Sequence, residues 1–189
     1  MMALSTRNAL LKEAENLVRT RGYSAFSYAD LSAKVGIRKA SIHHHFPKKE
    51  ELAGALIEEY LVQFEAELAA VAAKRTDTKG KLRAYGNFFA EGLDEGLLPL
   101  CGALASEAAF LPQALQAKVT RFFKIHLHWL EAIIREGIAA GEIRDDLKPD
   151  RVALHILGTL QGASLIAWAL KDGGVLKPAL REALDTLDP

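Results

Sequence analysis

Apolar residues recur three and four positions apart along most of the chain, the spacing of one buried helical face. No stretch reads as a strand, and no repeat or low-complexity run interrupts the pattern. Leu10, Ala14, Leu17 and Val18 give a first helix over residues 5–21, with Gly22 as its stop. Two short helices follow between Phe26 and Phe46. A long helix opens at Lys48 and Lys49 and runs to about Ala73, striped by Leu52, Leu56, Tyr60 and Phe64. Lys74 to Gly80 is polar and reads as a loop. Leu82, Tyr85, Phe88, Phe89 and Leu93 predict a helix from Lys81 to Glu95. A break at Gly96 to Pro99 leads to a short helix over Gly102 to Phe110. Pro112 opens a long helix to Ala140, and Pro149 another to Leu170. Asp172-Gly173-Gly174 turns the chain into a last helix from Pro178 to Leu187. The expected fold is all-α, with about nine helices.

The stretch from Phe26 to Leu52 carries the most specific pattern. Ser27 with Asp30 three residues on is a capping-box pattern at a helix start. Leu31 and Val35 share one face of that helix. Gly36 supplies the positive φ of a sharp turn between the apolar flanks Val35 and Ile37. A second helix then runs from Arg38 to about His44, until Pro47 ends it. Its inward residues are Ile42 and Phe46. Its outward ones are Arg38, Lys39, Ser41, His43, His44 and His45. Two helices around a glycine turn, the second with a donor-rich face, have the layout of a DNA-binding helix-turn-helix.

On these residues the chain resembles the TetR family of bacterial one-component transcriptional regulators. The resemblance covers about Ala9 to Leu52. It includes Arg21-Gly22-Tyr23, Leu31-Ser32, Val35-Gly36-Ile37, His44-His45-Phe46 and Lys49-Glu50-Glu51-Leu52. It implies a three-helix DNA-binding head at 1–49 and a helical effector-binding and dimerisation domain at 50–189. It implies that Ser27 and Tyr28 meet a phosphate, that Lys39, Ala40 and Ser41 face the major groove, that His43 and His44 touch backbone or bases, and that Lys49 neutralises a phosphate. Two positions depart from the family. Arg38 stands where the family has a capping Ser or Thr, so it is free to reach a phosphate or a guanine edge. His43 stands where the family has Tyr, and it brings a group that titrates near neutrality.

Charge agrees with this division. Residues 1–49 hold nine Lys and Arg against three Asp and Glu, a net of +6, and residues 50–189 carry a net of −6, so the chain as a whole is neutral. One cysteine excludes an intrachain disulfide. The N-terminus lacks an apolar signal core, and no run approaches about 18 uninterrupted apolar residues. The expectation is a cytoplasmic protein with no membrane partner.

The body offers aromatic walls and a few polar points for a small-molecule pocket, which the resemblance implies. The candidates are Phe64, Phe88, Phe89, Trp129, Cys101, Glu107 and His126. His126 and His128 are two apart, so at most one lines a given pocket. Trp168 and Gln161 border the pocket or a dimer seam. Cys101 before a small-residue helix is either a reactive thiol at a helix N-terminus or a small buried hydrophobe. Helices 149–170 and 178–187, with Gly158 and Gly162 one turn apart, suit the family's homodimer interface. His43, His44 and His45 point about 100° apart on a helix and do not converge on a metal. No cofactor is expected.

No phosphate loop, His-Glu-x-x-His or nucleophile elbow is present, which argues against an enzyme. The expected function is a sequence-specific repressor released from a palindromic operator by a small molecule. The alternatives are a regulator or activator without a ligand, and a cysteine-based redox or electrophile sensor.

Overall fold

A computed structural model describes residues 5–74, 77–93 and 95–189. Met1 to Leu4, the loop residues Arg75 and Thr76, and Asp94 lie outside the described residues. The described chain contains α1 (Thr6–Arg21), α2 (Tyr28–Val35), α3 (Lys39–His45), α4 (Lys49–Lys74), α5 (Thr78–Ala90), α6 (Leu100–Ser106), α7 (Gln113–Ala139), α8 (Pro149–Leu170) and α9 (Leu176–Asp185). Short 3-10 turns span Ala108–Phe110 and Gly173–Val175, and no strand occurs among the described residues.

The described chain forms two compact units, residues 1–62 with 100–121, and residues 63–99 with 122–189. In the first unit α1 packs on α2 and α6, and α2 packs on α3. Leu10, Leu17, Leu31, Ile42, Leu52 and Ile57 form its fully buried interior. With the buried Ala14 and Val18 of α1 and Ala53 and Leu56 of α4, they recur three and four positions apart along those two helices, so an apolar stripe of each faces the core. Glu58 on α4 is gripped by Lys118 and Arg121 of α7.

The second unit packs α8 against α9, and α5 against both. Its interior is Leu82, Tyr85, Leu130, Ile134, Ile156 and Leu160. Opposite that interior, α8 leaves Leu154, Leu165 and Ile166 exposed, Leu154 at 62%. Among the described residues α8 is the one helix long and apolar enough to cross a membrane by length and composition. It is interrupted by Asp150, Arg151, His155 and Gln161.

Three helices differ in their ends from the sequence pattern. α5 begins at Thr78 rather than Lys81. The Asp77 carboxylate accepts the Gly80 N–H (2.6 Å), and Glu142 accepts the Thr78 N–H (2.6 Å). Those two carboxylates satisfy the orphan donors of an earlier first turn. α5 also stops at Ala90, before Glu95. α6 spans Leu100–Ser106 instead of 102–110, because the chain leaves the helix at Glu107 and tightens into a 3-10 turn. α9 starts at Leu176, ahead of Pro178, since a proline in the first helical turn removes only a donor that has no intrahelical partner.

Candidate nucleic-acid interface and a buried aromatic site

α2 starts with a complete capping box. Ser27 Oγ accepts from the N–H groups of Ala29 and Asp30, and Asp30 accepts the Ser27 N–H (2.8 Å). The Ser27 hydroxyl also donates to Asp30 Oδ2 (2.6 Å), and that bond, then the Ser27 N–H, holds the Asp30 carboxyl below the usual carboxylate range. Gly36 ends the helix in the left-handed region (φ 75°, ψ 27°), and Ser32 Oγ–H donates to Ile37 O across the turn (2.5 Å). α3 leaves at once, with Arg38 at its N-cap making no side-chain cap. That agrees with the sequence: arginine has no acceptor for the orphan N–H groups. Ile42 and Phe46 are buried, while Arg38, Lys39, Ala40, His43 and His44 are exposed and Ser41 is half-buried. The tyrosine hydroxyl of Tyr28 donates to Phe46 O (2.8 Å), locking the start of α2 to the end of α3. Burial, then Glu51, pushes that phenol up to about 12.

His43 packs edge-on against Tyr28, with ring centroids 4.9 Å apart. Its Nδ1 lies 3.2 Å from Pro47 O. A carbonyl only accepts, so Nδ1 carries the proton in that bond. Nε2 of the neutral ring is then an acceptor, and a phosphate contact from it requires the protonated ring. Lys49 has a different setting. Its ammonium donates to the carbonyls of Tyr23 and Phe26 (2.5 Å each) and lies over both rings. Burial holds its pKa below the ordinary lysine value. In this structure Lys49 therefore ties the loop after α1 to the start of α4.

The effector candidates fall in two places. Phe64, Phe88, Phe89, His126 and Trp129 belong to the second unit. There the His126 ring stacks on Phe64 (4.2 Å, 21°), abuts Phe122 (4.1 Å) and meets Phe89 edge-on (5.9 Å). Phe88 is edge-on to Phe64, and Trp129 stacks on Tyr85 at 5.3 Å. His126 is 1% exposed, and its Nδ1 lies 2.5 Å from the Tyr85 hydroxyl. Burial pushes the imidazole down to about 3, so it is neutral. His128, two residues on, is exposed. Trp168 donates its indole N–H to Gly96 O (3.1 Å) and lines a cleft of about 600 Å³ with Leu93, Glu95 and Lys171.

Cys101 and Glu107 belong to the first unit. Cys101 is the second residue of α6 and fully buried, and burial raises its thiol pKa. Of the two settings open from sequence this is the small buried hydrophobe, because desolvation disfavours the thiolate. Glu107 is a strut: its Oε2 accepts the Ser24 N–H (2.8 Å). An added Cβ at Gly22, where φ is 90°, would sit 2.1 Å from Glu107 Oε1, so only glycine lets the carboxylate in.

Comparison with known proteins decides what this head belongs to. Residues 10–56 match the profile of "Bacterial regulatory proteins, tetR family", and residues 78–183, over half the chain, match "Tetracyclin repressor-like, C-terminal domain". The chain belongs to the TetR family. A TetR-family regulator from Agrobacterium tumefaciens superposes with a TM-score of 0.93 at 34% identity, covering 98% of each chain. One from Legionella pneumophila gives 0.89 at 26% identity over the whole of both chains. The repressor DhaR of Mycobacterium sp. (strain GP1) is 26% identical over 87% of this chain and 83% of its own. As a TetR-family member the protein is a DNA-binding transcriptional regulator. Of the residues expected to face outward on α3, Arg38, Lys39, His43, His44 and His45 are exposed, and Ser41 is half-buried. Tyr85 was absent from those expectations as a site residue. The available signal was a phenol on an otherwise apolar stripe, which must find a partner when buried.

Proposed function

We propose that the protein is a homodimeric repressor that reads a two-fold operator through α3 and releases it when a small molecule binds the aromatic interior of the second unit. The observation that carries this reading is the exposed Arg38, Lys39, His43 and His44 surface on α3, which the Tyr28 bond ties to the capped α2. In this reading residues 1–49 read DNA and residues 50–189 bind the effector and pair the subunits in the cytoplasm. Base contacts come from Arg38, Lys39 and Ser41, with Ala40 close to the groove floor. Phosphate contacts come from Ser27, His43 and His44. The buried setting of Cys101 argues against a redox trigger at that residue. Fluorescence anisotropy with the DNA upstream of the protein's own gene, against scrambled DNA over a salt series, tests the reading. Selective, tight binding at physiological salt is expected. Equal, steeply salt-dependent binding to both DNAs would count against it.

Dimerisation is assigned to α8 and α9. Arg151, Leu154, His155, Gly158, Leu165 and Ile166 make one exposed stripe on α8. Nothing lies within 4 Å of a Cβ added at Gly158 or Gly162, so the subunit itself does not use that space. Two copies can approach closely there, and heads about 34–36 Å apart then meet successive major grooves. Gly158→Arg should leave the monomer folded, since arginine favours a helix over glycine by up to about 1 kcal/mol. It should nevertheless yield a monomer in light scattering and lose operator binding. A stable Gly158→Arg dimer would remove α8 from the interface.

A further inference from the structure

Two side-chain nitrogens are buried without a hydrogen-bond partner among the described residues, His126 Nε2 and Gln161 Nε2. Both lie in the second unit, on α7 and α8. Buried polar groups are almost always paired, because an unpaired one forfeits its hydration for nothing. The chemistry of His126 Nε2 follows from its neighbour. A phenol is a far stronger acid than a neutral imidazole, so Tyr85 donates to Nδ1 across their 2.5 Å separation. Nε2 then carries the ring's proton and is a donor. An amide nitrogen is a donor as well. The unit therefore holds two unused donors that an acceptor would satisfy.

The surroundings restrict that acceptor further. Phe64 stacks on the His126 ring, and Phe122, Phe89 and Tyr85 pack around it, so a ligand that reaches Nε2 must part these rings and then meets aromatic faces, which favours a flat, apolar body. The buried polar residues among those described are Thr78, His126 and Ser164, and none is a lysine or arginine. The imidazole itself stays neutral, because burial holds its pKa near 3. A carboxylate or phosphate would be desolvated there with no counter-charge.

We propose that His126 Nε2 is the polar anchor for an uncharged, flat ligand bearing a hydrogen-bond acceptor, of the aromatic ketone, ester or quinone class. This rests on the reading of the second unit as the effector domain. Tyr85 is the positioning residue that fixes the donor tautomer. Isothermal titration of the full-length protein with acetophenone, isopropylbenzene and benzoate tests it. The first two share heavy-atom connectivity and differ in the acceptor, and the third adds charge. Acetophenone should bind about tenfold more tightly than isopropylbenzene, the equivalent of one hydrogen bond. Benzoate should bind least. In His126→Phe the ratio should fall to about one. In Tyr85→Phe, which keeps the imidazole should the first variant not fold, it should fall to an intermediate value. Equal binding of acetophenone and isopropylbenzene, no binding of acetophenone, preference for benzoate, or a ratio that survives both substitutions would overturn the proposal. Operator release is scored separately. Benzoate that binds and releases DNA would remove the anchor and leave the effector reading standing. Acetophenone binding that depends on His126 but never alters DNA affinity would do the reverse.

Discussion

The double variant Arg38→Ala, Lys39→Ala is expected to lose operator selectivity while keeping its fold and its dimer. Both side chains are exposed, and Arg38 caps nothing, so their removal costs the fold less than about 0.5 kcal/mol. A bidentate base contact is worth about 1–3 kcal/mol of discrimination. Removing one such hydrogen-bonded pair from each of two heads costs about 2–6 kcal/mol, or about 30-fold to 10⁴-fold in operator affinity. Scrambled DNA should weaken by a smaller factor, because Lys39 and Arg38 contribute there only as charges and no base contact is lost. Anisotropy at one fixed salt concentration, with unchanged circular dichroism and light scattering, is the measurement. If operator and scrambled DNA weaken by the same factor, α3 does not carry base recognition.

The head was legible because its determinants are local. Ser27 and Asp30 cap α2 three residues apart, Gly36 needs only its own backbone to turn, and Ile42 and Phe46 bury one side of α3. Each is a short-range pattern that the surrounding fold does not override. The packing of Lys49 was not legible. Its charge fits the family's phosphate contact, but Tyr23 and Phe26 offer carbonyls and ring faces that only the folded loop brings together. Distance along the chain hid the body in the same way. Tyr85 and His126 are 41 residues apart, and no local rule pairs a phenol on α5 with an imidazole on α7. Cys101 shows two local rules in competition. A helix N-terminus and a small apolar side chain fit the sequence equally, and complete burial decides for the second. The start of α5 depended on both kinds of determinant, Asp77 nearby and Glu142 from 64 residues away.

The neutral buried His126 makes stability depend on pH in a range where the carboxylates contribute little. In the unfolded chain a histidine takes up its proton near pH 6.5, whereas in the folded protein burial delays it to about 3. Between these values the unfolded state binds one more proton, so stability is complete above about 6.5 and falls as pH falls. The slope approaches about 1.4 kcal/mol per pH unit, giving a loss of about 2 kcal/mol from pH 7.5 to 5. Asp30, Glu58, Glu142 and Asp146 are all held below their ordinary values, so their stabilisation persists through this range and is lost only at lower pH. Urea denaturation at fixed protein concentration, which removes the mass-action term of a dimer, should show this loss. In His126→Phe the decline attributable to residue 126 should vanish, because phenylalanine binds no proton in either state. The variant should also lose less at pH 5 than the wild type relative to pH 7.5, even if it starts from a lower stability. Parallel declines in the two proteins would mean that residue 126 is protonated as readily in the folded state as in the unfolded one. That result would also weaken the assignment of Nε2 as a neutral donor inside the ring cluster, since a readily protonated imidazole would have to be in contact with water.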